Sequence, residues 1–340
     1  MNVIRPTLFF LFLGLISIIV SLNPYHACID QSIIQQTYKS NTFTACVSSP
    51  NTYDYDSDIS KDILNVPVHF YFPNSPKKVP VIIISHGAGG IFQFHHDYKN
   101  TFLSNGYGVA IIDHFSPRNI AIDFDFVKVT EAMMLSDVSA TLKYLIENYS
   151  HRIDGQIGYI GWSKGGISTL SLRSKKVYDK YIPENITLSF LGGIYTLCNV
   201  SFENYESSNI PLLLISGKLD EITPSKHCEK LFKEYRDDED IIYYELDEAH
   251  HGFDNHFFLL GAYLPWQPIL IDSDICKIQV NKSLMTQNKN GTYSLNDYAS
   301  RKEFIKACTQ RGAFVQYDYT SKIKSQKLIL DFVSRKFIKN

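Results

Sequence analysis

No long run of lysines and arginines occurs anywhere in this chain of 340 residues, and its formal net charge is only −2. A nucleic-acid surface carries clustered basic side chains, so that class of partner is not expected. No two cysteines stand in C-x-x-C spacing, which argues against a zinc site. No G-x-x-x-x-G-K string is present, which argues against a loop built to cradle phosphates. Neither a metal nor a cofactor is expected. The chain also lacks internal repeats and a linker that would divide it. With 44% hydrophobic residues it has ample material for one large core.

One long uncharged apolar run exists, "TLFFLFLGLISIIVSL" from Thr7 to Leu22. It follows Arg5, is short for a membrane-spanning helix, and ends at Asn23-Pro24. Residues 1–27 therefore read as a secretory signal peptide, with a cut near Ala27. The alternatives are a membrane anchor or a lipoprotein acylated on Cys28. After the cut the chain is expected to be secreted or periplasmic, without a stable membrane span. Six cysteines remain: Cys28, Cys46, Cys198, Cys228, Cys276 and Cys308. An even count in an exported chain fits up to three disulfides; buried free thiols are the alternative.

Residues 28–340 read as a single α/β domain. "VPVIIISHG" (79–87), "YGVAIIDHF" (107–115), "GQIGYIGWS" (155–163) and "IPLLLISGKLD" (210–220) are continuous apolar runs, as in parallel strands covered on both faces. Helical periodicity separates them, most clearly in "VTEAMMLSDVSATLKYLIEN" (129–148) and "SKHCEKLFKEY" (225–235). The alternation predicts a doubly wound, mostly parallel sheet with helices on both faces. Residues 28–60 read as polar and irregular, and "NVPVHFYFP" (65–73) as a strand near a sheet edge. Residues 254–307 interrupt the rhythm and read as an insertion near the site.

In such a sheet, ligands bind beyond the carboxyl ends of the strands. "GWSKG" (161–165) sits at a strand–helix junction. A strand turning sharply into a helix holds its turn residue in a strained conformation and needs small neighbours. This lifts the Ser163 hydroxyl above the sheet, over a helix N-terminus that offers N–H groups to an oxyanion. A serine needs a base, and "DEAHHGFD" (247–254) supplies His251, with His250 as the alternative. The base needs an acid; Asp220 follows a strongly apolar strand, with Glu221 as the alternative. Thr223 before Pro224 reads as the cap of the next helix. "SHGAGG" (85–90) offers further backbone N–H groups. The expected oxyanion donors are Ala88, or Gly89, together with Lys164.

Taken together, "VIIISHGAGG", "AIIDHFSPR", "GWSKGG", "LLLISGKLDEITPSKHCEKL" and "EAHHGFD" resemble the dienelactone hydrolase branch of the α/β-hydrolase superfamily. The resemblance spans about residues 63–253, and "CTQRGAFVQYDY" (308–319) is similar to the family's closing strand-and-helix region. It implies the α/β-hydrolase fold. It places Asp113 and Arg118 by the site, with Arg118 facing an anionic substrate group or held in a structural ion pair. Trp162, next to the serine, is a further expected substrate contact. The resemblance also brings Cys198 and Cys228 within reach, leaving Cys276 with Cys308 and Cys28 with Cys46. The namesake enzymes use a cysteine nucleophile where this chain has Ser163, so a general carboxylic ester hydrolase is the expectation. Its substrate would be a small-molecule or lipid ester. A peptidase, an acyltransferase or a non-catalytic binding protein on the same fold are the rivals.

Overall fold

Successive residues of the apolar strands feed two different cores. In β3 (Val79–Ser85), Val81 and Ile83 join one buried cluster while Ile82 and Ile84 join another. A strand covered on both faces needs apolar residues at every position, which is why these runs do not alternate. The computed structural model describes residues 28, 41–56, 62–237 and 240–337. The segment read as a signal peptide lies outside them. No helix among the described residues is long and apolar enough to cross a membrane.

Among the described residues the main sheet has eight strands. Before β3 come β1 (Thr42–Pro50) and β2 (Ile63–Tyr71); after it come β4 (Gly108–Ile112), β5 (Ile153–Trp162) and β6 (Leu188–Ile194). The short β7 (Val200–Phe202) stands outside the sheet, and β8 (Leu212–Gly217) and β9 (Ile241–Leu246) complete it. The spatial order is β1-β2-β4-β3-β5-β6-β8-β9. β1 and β2 are antiparallel additions at one edge; all pairings from β4 through β9 are parallel.

Helices cover both faces. One face packs against α1 (Gln93–Ser104), through Phe94, Tyr98 and Phe102, and against the C-terminal helix, through Ile329, Phe332 and Val333. The other takes α2 (Glu131–Tyr149), whose Leu135, Val138, Leu142 and Leu145 recur at helical spacing. α3 (Lys164–Ser171) follows β5 after a single residue, and then come α4 (Lys175–Tyr181) and α5 (Ser225–Tyr235).

Residues 262–315 leave the main sheet. β10 (Ala262–Leu270) pairs with β13 (Thr309–Val315), and β11 (Ile278–Val280) lies between β12 (Thr286–Asn288) and β7. α6 (Tyr298–Cys308) and α7 (Tyr319–Lys336) complete the chain. The strand of the "CTQRGAFVQYDY" segment thus belongs to a separate ribbon and not to the closing edge of the main sheet. Disulfides join Cys28–Cys46, Cys198–Cys228 and Cys276–Cys308. A sulfur held in the Cys28–Cys46 bond is not available for a lipid thioether.

One local expectation differs, and β2 stands near the sheet edge as expected. β1 falls in the stretch read as irregular, because its inward positions include Ala45 and Ser49, which carry little apolar signal. Ser49 is buried because its hydroxyl donates to Asp137 at 2.6 Å. β1 therefore takes the edge, and β2 lies one strand inward.

Candidate active site

The junction between β5 and α3 is crowded by backbone. A Cβ added at Gly161 would lie 2.0 Å from the Gly165 carbonyl oxygen. One at Gly165 would lie 2.5 Å from the Ser85 carbonyl oxygen, and one at Gly166 would lie 2.5 Å from Thr196 Cβ. The small residues around Ser163 are there because neighbouring backbone occupies the space side chains would need. Ser163 itself has φ 51° and ψ −114°, a left-handed conformation that costs on the order of 1–3 kcal/mol for a non-glycine residue.

Loops after β8 and β9 are pressed together by the same device: a Cβ at Gly217 would meet the Ala249 carbonyl oxygen at 2.3 Å. Leu219 N–H donates to that carbonyl at 3.0 Å. This contact carries Asp220 and His251 to the tip of β5. His251 Nε2 lies 3.0 Å from Ser163 Oγ, and His251 Nδ1 lies 2.8 Å from Asp220 Oδ2. Asp220 Oδ1 accepts from the backbone N–H groups of Ile222 and Thr223, both at 2.8 Å, which fixes the carboxylate plane. Ser163 is 8% exposed, Asp220 is buried, and His251 is partly exposed.

The alternatives point elsewhere. The His250 ring packs edge-on against Phe314 at 5.0 Å, and the Glu221 carboxylate accepts from Phe314 N–H at 2.7 Å. Thr223 does not cap α5; its hydroxyl lies 2.8 Å from Asp220 Oδ2, 2.9 Å from the Tyr195 carbonyl oxygen and 3.2 Å from His251 Nδ1. The helix begins at Ser225 with no side-chain cap, so Thr223 belongs to the site.

The turn 87–90 comes so close to Ser163 that a Cβ at Gly87 would stand 3.0 Å from Ser163 Cβ. Among the described residues, no backbone carbonyl accepts from the N–H groups of Ala88, Gly89 or Lys164. The Lys164 side chain turns inward, where its ammonium pairs with Asp123 Oδ2 at 2.7 Å. Burial alone would raise the Asp123 pKa, but Lys164 outweighs it and the carboxyl is held below its usual range. The Asp123 N–H also donates to the Ala88 carbonyl at 2.9 Å. Asp123 therefore ties the turn before α1 to the first residue of α3. Nothing in the string around Asp123 signals this.

Arg118 and Trp162, the two expected substrate contacts, are both engaged by protein partners. Arg118 is held away from the serine: it grips both oxygens of the buried Asp137 at 2.9 and 3.1 Å and donates to Asn51 at 3.0 Å. The ion-pair alternative is thus the one found. Trp162 is fully buried among Phe94, His95 and Tyr98, and its N–H donates to Asp254 at 3.0 Å. It borders the cleft beside Ser163 while its N–H is held by Asp254. Asp113 Oδ1 accepts from Phe115 and Ser116 N–H groups and shapes its own turn.

Asp254 also accepts from the Tyr195 hydroxyl at 2.8 Å, and the Tyr195 ring stands 4.8 Å from the His251 ring. Burial pushes the Asp254 carboxyl up to about 6, against the lowering effect of its Tyr195 and Trp162 hydrogen bonds. A second serine–imidazole–carboxylate row lies below: Ser85 Oγ to His114 Nε2 at 2.8 Å, and His114 Nδ1 to Asp137 Oδ2 at 2.8 Å. All three residues are fully buried and none lines a cavity described below, so the same chemistry there lacks access.

Among the described residues, Ser163 borders a large cavity and a small one. One, of about 1310 Å³, is an open cleft shared with His251 and Gly87–Gly90. The other, of about 90 Å³, lies on the side of Ile167 and Thr223.

The family model of the dienelactone hydrolase family matches residues 66–257. Among solved structures, a dienelactone hydrolase-like promiscuous phosphotriesterase from metagenomic libraries superposes with a TM-score of 0.51 at 13% identity, covering 88% of this chain and 100% of its own. A dienelactone hydrolase from Anabaena variabilis gives 0.44 at 14% identity, over 62% of this chain and 89% of its own. Est1E from Butyrivibrio proteoclasticus gives 0.42 at 17% identity, over 62% and 92%. No curated protein matches the sequence. At these identities the likeness is one of fold: a mixed, mostly parallel sheet flanked by helices.

Proposed function

This chain belongs to the dienelactone hydrolase family, and from that premise we propose that it is an exported serine hydrolase of carboxylic esters that works through an acyl-enzyme. The observation that carries the reading is the hydrogen-bonded row Asp220–His251–Ser163, ending on a serine strained into a cavity. His251 Nε2 accepts the Ser163 proton as Oγ bonds to the ester carbonyl carbon. The carbonyl oxygen becomes an oxyanion facing the N–H groups of Ala88 or Gly89 and of Lys164, each donor being worth about 3 kcal/mol of barrier. The carbon–oxygen bond to the alcohol then breaks, and the proton on His251 passes to the departing alkoxide. Water enters, gives a proton to His251 and attacks the acyl carbon. The bond to Ser163 Oγ breaks and the proton returns to it. Asp220, fixed by two backbone donors, holds the Nδ1–H tautomer and offsets the imidazolium charge.

Export is supported by the apolar leader in the sequence and by the three disulfides, which suit an oxidising compartment. A fluorophosphonate probe should label the purified protein at Ser163. Ser163→Ala should lose both the label and the turnover of p-nitrophenyl acetate. A folded protein that takes no label would overturn the proposal.

A further inference from the structure

The two cavities beside Ser163 differ in the groups that line them. The 1310 Å³ cleft contains the imidazole of His251 and the Gly87–Gly90 turn. Its walls are largely aromatic and apolar, including Ile91, Phe92, Phe124, Phe258 and Trp266; Lys99 and the imidazoles of His69, His96 and His256 also line it, and among the described residues neither a carboxylate nor an arginine does. The 90 Å³ cavity contains neither His251 nor that turn. Its wall is built from α3 (Ile167), β7 (Val200) and the segment outside the main sheet (Leu270, Ile278, Leu295, Ile305). The charged side chains that border it are engaged: Arg301 with Glu131 at 3.1 Å and Lys164 with Asp123 at 2.7 Å. The Cys276–Cys308 disulfide joins the short turn just before β11 to the end of α6 and so braces this wall.

Resting on the ester-hydrolase reading, we propose that the small cavity receives the acyl chain and the open cleft the alcohol, so that the segment after β9 measures acyl length. The chemistry decides the direction. The departing alkoxide must take its proton from His251, and the incoming water must give one to it, so both have to stand on the cleft side. The acyl group stays on Ser163 Oγ through both steps and needs no exit. The cavity is small and walled on the far side, so it bounds the length of the acyl chain it can take. The substrate class is an ester of an uncharged, short to medium fatty acid with a bulky apolar or aryl alcohol.

The test uses the full chain and two ester series. In the first, p-nitrophenyl esters run from acetate to dodecanoate. In the second, hexanoates carry alcohols from methanol to naphthol. kcat/KM should fall by about tenfold or more once the acyl chain outgrows the cavity, the scale expected of misfitted methylenes, while alcohol size sets no such limit. Ile305→Trp should lower the hexanoate-to-acetate ratio of kcat/KM by about tenfold, and Leu270→Ala should move the cut-off to longer acids. Both positions are only partly buried. A protein that labels with fluorophosphonate, yet shows the same acyl profile in wild type and both variants, overturns this inference alone. So does a cut-off that follows the alcohol. Absence of both label and turnover overturns the hydrolase reading beneath it.

Discussion

Gly161→Ala tests directly why the serine is spelled between glycines. The added methyl group would stand 2.0 Å from the Gly165 oxygen, 2.2 Å from its carbonyl carbon and 2.6 Å from Gly166 N. Ordinary contact begins near 3.4 Å, so β5 and the first turn of α3 must part by about 1 Å. Every clashing atom is backbone, so no rotamer change relieves it. Overpacking of this kind costs about 2–3 kcal/mol, which for a chain of this size lowers Tm by about 3–4 °C. The displaced turn carries Lys164 N–H and Ser163 Oγ, and a misplacement of about 1 Å can cost about 10²-fold in turnover. Gly155→Ala is the control. Its position has φ +93° but nothing within 4 Å of the added group, so it should lose about 1 kcal/mol of stability and keep its activity. Differential scanning fluorimetry and p-nitrophenyl acetate kinetics read both effects. If Gly161→Ala unfolds and turns over like wild type, the crowding argument is wrong.

Two further outcomes follow from buried charges. Asp254 has its carboxyl raised to about 6, so the folded state favours the protonated acid; the associated stability is present below about pH 4 and is lost as pH rises through 6. The span corresponds to about 3 kcal/mol. The stability of wild type relative to Asp254→Asn, from urea unfolding, should therefore fall by about that amount between pH 4 and 7; parallel profiles would refute it. Arg118→Ala breaks a buried pair with Asp137 and should cost about 3–5 kcal/mol, while the KM ratio of an anionic to a neutral ester stays put. A selective rise in KM for the anionic ester would return Arg118 to the substrate.

The candidate site was legible wherever its signal is local. The Gly161–Gly165 spelling is fixed by one strand–helix turn, and the order Ser163, Asp220, His251 follows from strands whose ends lie on one rim. The alternatives, His250 and Glu221, are adjacent in sequence, and which of each pair faces Ser163 depends on the way a loop turns. Thr223 was misread because a threonine before proline carries the local signature of a cap, while its hydroxyl is claimed by a tertiary partner.

The sequence by itself determined the alternation of apolar strands and amphipathic helices, because burial on one or two faces writes a period into neighbouring residues. It likewise determined where serine, acid and imidazole fall along the chain. Chain folding alone turns Arg118 to Asp137 and gives the Trp162 N–H to Asp254. It also joins the Ala88 turn to Lys164 through Asp123, and brings residues far beyond His251 to wall a second cavity beside Ser163. Those partners are separated by tens of residues or more, and a charge or a methyl group carries no mark in the string of what will stand against it once the chain has closed.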